Sequence, residues 1–234
     1  MKKFSAILVS LLLTIHLAWA GGMEDDPFLA MFKLDQFEWQ DAEGADALSW
    51  DAQAWFGKDL HKLWIKTEGE FIDGQAEDAE VQLLYSRAIA PYWDLQAGWR
   101  RDIRPSPERD WFALGVKGLA PYFFEIDAQL FVGEAGRLGA RFKAEYELLF
   151  TQRLVLTPEL ELNWYSGDDP GRGLGSGLSD ASLGLRLRYE IRREFAPYIG
   201  VEWSRVFGAT ADFTEAEGGD IQDTRLVAGI RAWF

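Results

Sequence analysis

The sequence predicts an all-β fold, a transmembrane antiparallel up-and-down barrel of about twelve strands, of the outer-membrane type. Three observations point there. The closing stretch "DTRLVAGIRAWF" alternates at period two, with Thr224, Leu226, Ala228, Ile230, Ala232 and Phe234 on one face and Asp223, Arg225, Gly229 and Arg231 on the other. Segments of the same kind recur along the chain, broken by Gly, Pro, Asp and Ser. Beyond residue 20 no apolar run is long enough for a membrane helix, so an exported chain of this composition enters a membrane as a closed sheet.

Export is expected from the start of the chain. Lys2 and Lys3 precede an apolar run from Phe4 to Ile15, and Ala18-Trp19-Ala20 supplies a small-x-small cleavage pattern. Residues 1–20 are therefore expected to be a signal peptide, residues 21–30 a short acidic periplasmic segment, and residues 31–234 the barrel. Loss of Lys2 and Lys3 takes the net charge from −14 to −16, a balance that repels nucleic acid and attracts cations. The chain has no cysteine, which excludes disulfides and thiolate metal sites. Aromatic residues make up 15% and include 11 tryptophans, as membrane-interface belts require.

Taken in order, strands are expected near 31–41, 47–57, 61–71, 78–88, 91–101, 110–118, 121–132, 137–149, 152–165, 179–190, 196–207 and 223–234. The clearest is "RLGARFKAEYELLF", where Leu138, Ala140, Phe142, Ala144, Tyr146 and Leu148 alternate with Arg137, Arg141, Lys143, Glu145 and Glu147. Apolar outside and charged inside is the pattern of a barrel in lipid. The joints are expected to alternate, short near 57–61, 88–91, 118–121, 149–152 and 191–196, and long at 101–110, 166–179 and 208–222, with the earlier joints of that set middling. Both termini then lie on the periplasmic side, the side of the short turns. Three short turns are expected to share a tripeptide, Ala90-Pro91-Tyr92, Ala120-Pro121-Tyr122 and Ala196-Pro197-Tyr198.

The charged faces supply the candidate site. Glu68 and Glu70, Glu125 and Asp127, Glu145 and Glu147, and Glu159 and Glu161 are pairs two residues apart, hence on one face of a strand and here the inward one. Arg141, Arg153, Arg186, Arg188, Arg225 and Arg231 are the expected ion-pair partners. Two compatible readings follow: cross-strand ion-pair ladders that fill the interior, or a polar path of net negative potential that concentrates cations. Catalysis is not expected, because a nucleophilic or acid–base cluster needs a histidine among partners, and after cleavage His61 stands alone at a turn. For metal ligands softer than a carboxylate only Met23, Met31 and His61 remain, and His61 and Met31 are the candidates within the barrel.

The stretches "FKLDQFEW", "KLWIKTEGE", "AEVQLLYSRAIAPYWDLQAGWR", "DWFALGVKGLAPYFFEIDAQLFVGEAGR", "AEYELLFTQRLVLTPELELNWYS", "GSGLSDASLGLRLRYEIRREFAPYIGVEW" and "FGATAD" resemble the copper resistance protein B family. The resemblance covers Met31 to Phe234. It implies an outer-membrane barrel of copper homeostasis, encoded beside a periplasmic multicopper oxidase, with copper as a bound or carried ion. It also implies three partners: the membrane lipid, copper ions and that oxidase. Many members carry a Met- and His-rich segment before the barrel, whereas the stretch from Ala20 to Met31 here is acidic and lacks histidine. Copper handling by this chain therefore falls to the barrel and its loops. The competing expectation is a structural barrel that docks the oxidase without conducting metal.

Overall fold

The computed structural model describes residues 26–42 and 45–234; the expected signal peptide and residues 21–25 lie outside the described part. One antiparallel sheet contains β1 (Leu29–Ala42), β2 (Ala45–Lys58), β3 (His61–Ile72), β4 (Gln75–Ala90), β5 (Trp93–Arg104) and β6 (Arg109–Ala120). It continues through β7 (Phe124–Gly133), β8 (Leu138–Glu145, resumed at Leu148–Leu149), β9 (Leu154–Tyr165), β10 (Gly177–Tyr189), β11 (Phe195–Val206) and β12 (Gln222–Trp233). Each strand pairs with its neighbours in sequence, and β12 pairs with β1 from Lys33 opposite Trp233 to Asp41 opposite Leu226. The sheet is thereby closed with twelve staves, and no edge is left to pair with another chain.

The terminal phenylalanine takes part in the closure. Phe234 N–H donates to the Phe32 carbonyl at 2.9 Å and Phe32 N–H donates back to Phe234 at 3.0 Å. Outward positions along the seam are Phe32, Phe37, Trp39 and Leu226, all exposed. Around the rest of the wall Ile65, Leu83, Trp99, Phe112, Leu130, Leu183 and Ile199 face outward, giving the continuous apolar exterior that lipid requires.

The break in β8 has a chemical cause. Tyr146 N–H donates to the Pro158 carbonyl at 3.1 Å, so Pro158 turns its backbone edge toward β8. Proline has no N–H to return the bond, and the ladder lapses for two residues before Leu148 and Leu149 pair with Leu156 and Val155.

Three expectations are corrected. The joints are not graded from middling to long: β3 and β4 are joined by Asp73-Gly74 alone, whose φ values of 50° and 77° are those of a tight type I′ hairpin. The tripeptide at 196–198 is not a turn. It lies within β11, where Tyr198 faces inward and is buried, while the turn itself occupies 190–194. The other two do turn the chain, with Tyr92 and Tyr122 both at φ 67°. Third, the stretch 208–222 contains a helix, α1 (Gly208–Ala216), whose Thr210 is buried against β10. Ala209, Ala211 and Ala216 favour it, and Gly218 at φ 81° closes it.

The interior is not wholly polar either. Trp64, Leu84, Trp111, Ala113 and Phe131 form an apolar cluster inside the wall of β3 to β7, and Arg100 lies over the Phe131 ring at 4.4 Å. Two of the tryptophans therefore fill the lumen, which a barrel of this width must pack.

The two faces should answer differently to substitution. Leu183→Arg, on the outward face near mid-strand, is expected to cost about 2–4 kcal/mol, whereas Ser182→Ala, one residue away and inward, should stay within about 0.5 kcal/mol. Urea titration of the barrel folded in lipid vesicles, followed by tryptophan fluorescence, measures both.

Candidate functional site

Inward side chains from opposite walls meet in the middle of the lumen. Arg141 on β8 donates two bonds to Glu80 on β4, at 3.0 and 3.1 Å, and a third to Glu68 on β3. Lys143, one inward position further along β8, reaches Glu68 at 2.6 Å, Glu161 at 3.2 Å and Asp51 on β2 at 3.4 Å. Gln36 on β1 donates to Glu159 on β9 at 2.7 Å, and Lys117 on β6 donates to Gln53 on β2 at 3.0 Å. These bonds span the barrel, so the lumen is bridged by side chains with cavities on either side.

The tightest group surrounds Glu38, which is 0% exposed. Arg186 donates to it through Nε at 2.9 Å and Nη2 at 2.8 Å, Tyr198 through its hydroxyl at 2.9 Å, and Gln40 through its amide at 2.9 Å. The same guanidinium reaches Glu202 at 2.6 Å and Glu159 at 3.1 Å. Two glycines make room: a Cβ on Gly184 would collide with the Arg186 guanidinium, and one on Gly229 would lie 2.7 Å from both Glu38 Cβ and the Tyr198 ring.

At the end away from the termini the loop between β9 and β10 folds over the opening. Arg172 donates to Asp102 at 2.6 Å and to the Arg104 carbonyl at 3.0 Å, while Trp111 and Arg100 also donate to Asp102. Asp169 holds Arg109 at 3.0 and 3.2 Å, and Thr210 of α1 accepts from the Gly175 N–H at 2.8 Å. In the same loop the Ser176 N–H, 2.7 Å from Asp168, holds that carboxyl below its usual range.

Lining charge is graded along the axis. The vestibule beneath this loop, about 440 Å³, is lined by eight acidic and six basic side chains. The cavity on the other side of the bridge, about 390 Å³, has eight of each sign. At the end of the termini one cavity, about 530 Å³, has three acidic and five basic side chains, and a second, about 670 Å³, has two of each. The excess of acidic over basic lining side chains, the basis of the expected polar path of net negative potential, therefore lies at one end.

The named carboxylates are distributed accordingly. Glu70 pairs with Arg225 at 2.5 Å, Asp127 with Lys66 at 2.7 Å, Glu145 with Arg231 at 3.0 Å, and Glu147 with Arg188 at 2.6 Å. Glu161 lies 3.3 Å from Arg141, and Glu125 has no cationic partner within 4.0 Å among the described residues. Arg153 is the misplaced member: it is exposed in the turn before β9, outside the lumen. Met31 lines the mouth at the termini. His61 opens β3 on the outward face and bonds through Nδ1 to Tyr85, so it shares no site with Met31. Among the described residues no group of three His, Cys, Asp or Glu converges to hold a metal. Glu38 and Arg172 went unnamed in the sequence. Glu38 had a signal, since it lies between the outward Phe37 and Trp39; Arg172 had none, because a loop side chain has no periodicity.

The family model of the copper resistance protein B precursor matches residues 28–234. This chain belongs to that family. It is 49% identical over 201 residues to copper resistance protein B of Escherichia coli, covering 86% of this chain and 68% of that one. To the copper resistance protein B homolog of Pseudomonas syringae pv. tomato it is 45% identical over 212 residues, covering 91% and 72%. Among solved structures the fold is similar to the NanC porin (TM-score 0.57, 10% identity, 87% of this chain and 99% of that one). It is also similar to the KdgM porin (TM-score 0.54, 12% identity, 88% and 99%). At such identity the likeness is one of fold alone: the family member described here is an outer-membrane-type barrel.

Two outcomes test the site. Arg186→Met strands Glu38 in the interior and should cost about 3–5 kcal/mol, with Glu38→Gln added to it restoring much of the loss; urea titration in vesicles reads both. Arg172→Ala releases the loop from Asp102 and should speed amide hydrogen exchange across residues 166–176 without altering the folded fraction.

Proposed function

We propose that this barrel serves copper resistance by drawing copper ions into its acidic vestibule and passing them along the charged lumen across the outer membrane. The graded lining carries the reading: an ion entering where acidic side chains outnumber basic ones is held by carboxylates, then meets a balanced and bridged segment. Asp78 and Asp180 line that vestibule without a cationic partner within 4.0 Å among the described residues; Asp180 accepts one hydrogen bond from the Asn163 amide at 2.9 Å, and neither carboxylate is tied to a charge that an incoming ion would have to displace. Weak, multiple sites suit passage better than a closed cage, because an ion that is carried must also leave. Met31 at the far mouth adds a softer thioether contact. The termini would face the periplasm and residues 1–20 would be removed on export, in keeping with a barrel of this kind.

A second reading has its own support. One cavity at the mouth by the termini carries an excess of basic side chains, which suits a partner with an acidic surface; a periplasmic copper oxidase bearing such a surface would dock there on a barrel that conducts nothing.

Copper flux into liposomes carrying the refolded barrel, followed with an encapsulated indicator, separates the two. Flux above empty liposomes, reduced roughly tenfold by Asp78→Asn with Asp180→Asn, is expected. Absence of flux from a correctly folded barrel would sink the carrier reading and leave docking.

A further inference from the structure

The outward face carries a basic row that the lumen does not explain. Lys58 ends β2, His61 begins β3 and Arg87 lies near the end of β4, and the register sets Lys58 opposite His61 and His61 opposite Arg87. All three are exposed, and directly opposed residues on neighbouring strands stand about 5 Å apart. The row is bounded on its barrel side by an apolar one, Phe56, Leu63, Tyr85 and Ala97, which are opposed in the same way. Leu60, in the turn between β2 and β3, and Ile89, near the end of β4, are exposed beyond it. The basic groups therefore sit where the lipid-facing wall ends.

We propose that Lys58, His61 and Arg87 form a site on the outside of the barrel for the phosphate of an anionic lipid headgroup. The chemistry fits a phosphate. Arg87 offers a planar fork of donors and, among the described residues, makes no ion pair or side-chain hydrogen bond. In the tautomer whose Nδ1 accepts from the Tyr85 hydroxyl, Nε2–H is left to donate outward, and the two rings lie 5.9 Å apart and stacked. Lys58 meets Asp26 at 3.2 Å, but both are more than half exposed, so the pair is weak and the ammonium stays available. The neighbouring Phe56 and Leu63 give the acyl chains of the same lipid an apolar surface. The other rim contrasts with this one: outward Arg101 there is paired with both Glu108 and Asp110. A lone histidine in a copper family invites assignment as a metal ligand, yet its face and neighbours suit lipid.

The test is native mass spectrometry of the full barrel released from detergent containing dioleoyl phosphatidylglycerol, dioleoyl phosphatidylcholine, or the former with excess inorganic phosphate. The expected result is retention of phosphatidylglycerol over phosphatidylcholine, falling about fivefold for each charge removed by Lys58→Gln and Arg87→Gln. Arg101→Gln at the other rim should change nothing. The substituted side chains are exposed and leave packing intact; heat-modifiable migration on gels confirms that each variant is folded. Equal retention of the two lipids, or unchanged preference in the Lys58, His61 and Arg87 triple glutamine variant, would overturn the site. Displacement by inorganic phosphate would assign the row to a free anion and overturn the lipid.

Discussion

A charged side chain removed from water inside a twelve-strand barrel must meet an opposite charge or a set of hydrogen bonds, and this demand organises the lumen. Desolvating a single ion costs several kcal/mol, so Arg186 is surrounded by Glu38, Glu159 and Glu202, and Arg141 by Glu68, Glu80 and Glu161. Each guanidinium serves several strands at once. The strands are therefore joined through the interior as well as around the wall, and the glycines at 184 and 229 exist to let those groups approach.

The same demand limits what the barrel can pass. A lumen bridged from β8 to β3 and β4 is no open pipe, and the apolar cluster around Trp64 and Trp111 narrows one side further. What moves through such a segment must exchange contacts with the side chains that bridge it. The loop that carries Arg172, and the helix that holds it through Thr210, control one approach. The opposite mouth is open to its basic rim. Most of the lumen carboxylates are engaged by guanidinium or ammonium groups, so carriage of an ion, as proposed, would rest on the few without a cationic partner rather than on their total number.

The outside obeys a simpler rule. Lipid asks only for apolar surface along the strands and polar groups at their ends, and the exterior supplies Leu83, Leu183 and Ile199 in one place and Lys58, His61 and Arg87 in the other. His61 shows how the two rules interact. It is seven residues from Glu68 on an uninterrupted stretch of β3, and an odd spacing puts it on the opposite face; the period-two argument that placed Glu68 inside already placed His61 outside.

The strands, the closure of the sheet and the inward direction of Glu68, Arg141 or Arg186 were legible in the sequence, because alternation is local and lipid on one side imposes it without exception. Glu38 was legible by the same rule from its place between Phe37 and Trp39. Sequence could not show that Tyr198 belongs to β11 and not to a turn, since Ala-Pro-Tyr serves both, and it gave no sign that Arg172 enters the vestibule. Nor could it pair the charges. Which carboxylate meets which guanidinium depends on contacts between strands far apart in the chain, such as Arg141 with Glu80 and Arg186 with Glu38, and on the width that barrel closure imposes. The sequence determined the wall and the facing of its side chains through a local period of two; only the tertiary structure decided the bridge, the grading of charge and the Arg172 cover, because those arise where distant strands come within hydrogen-bonding distance.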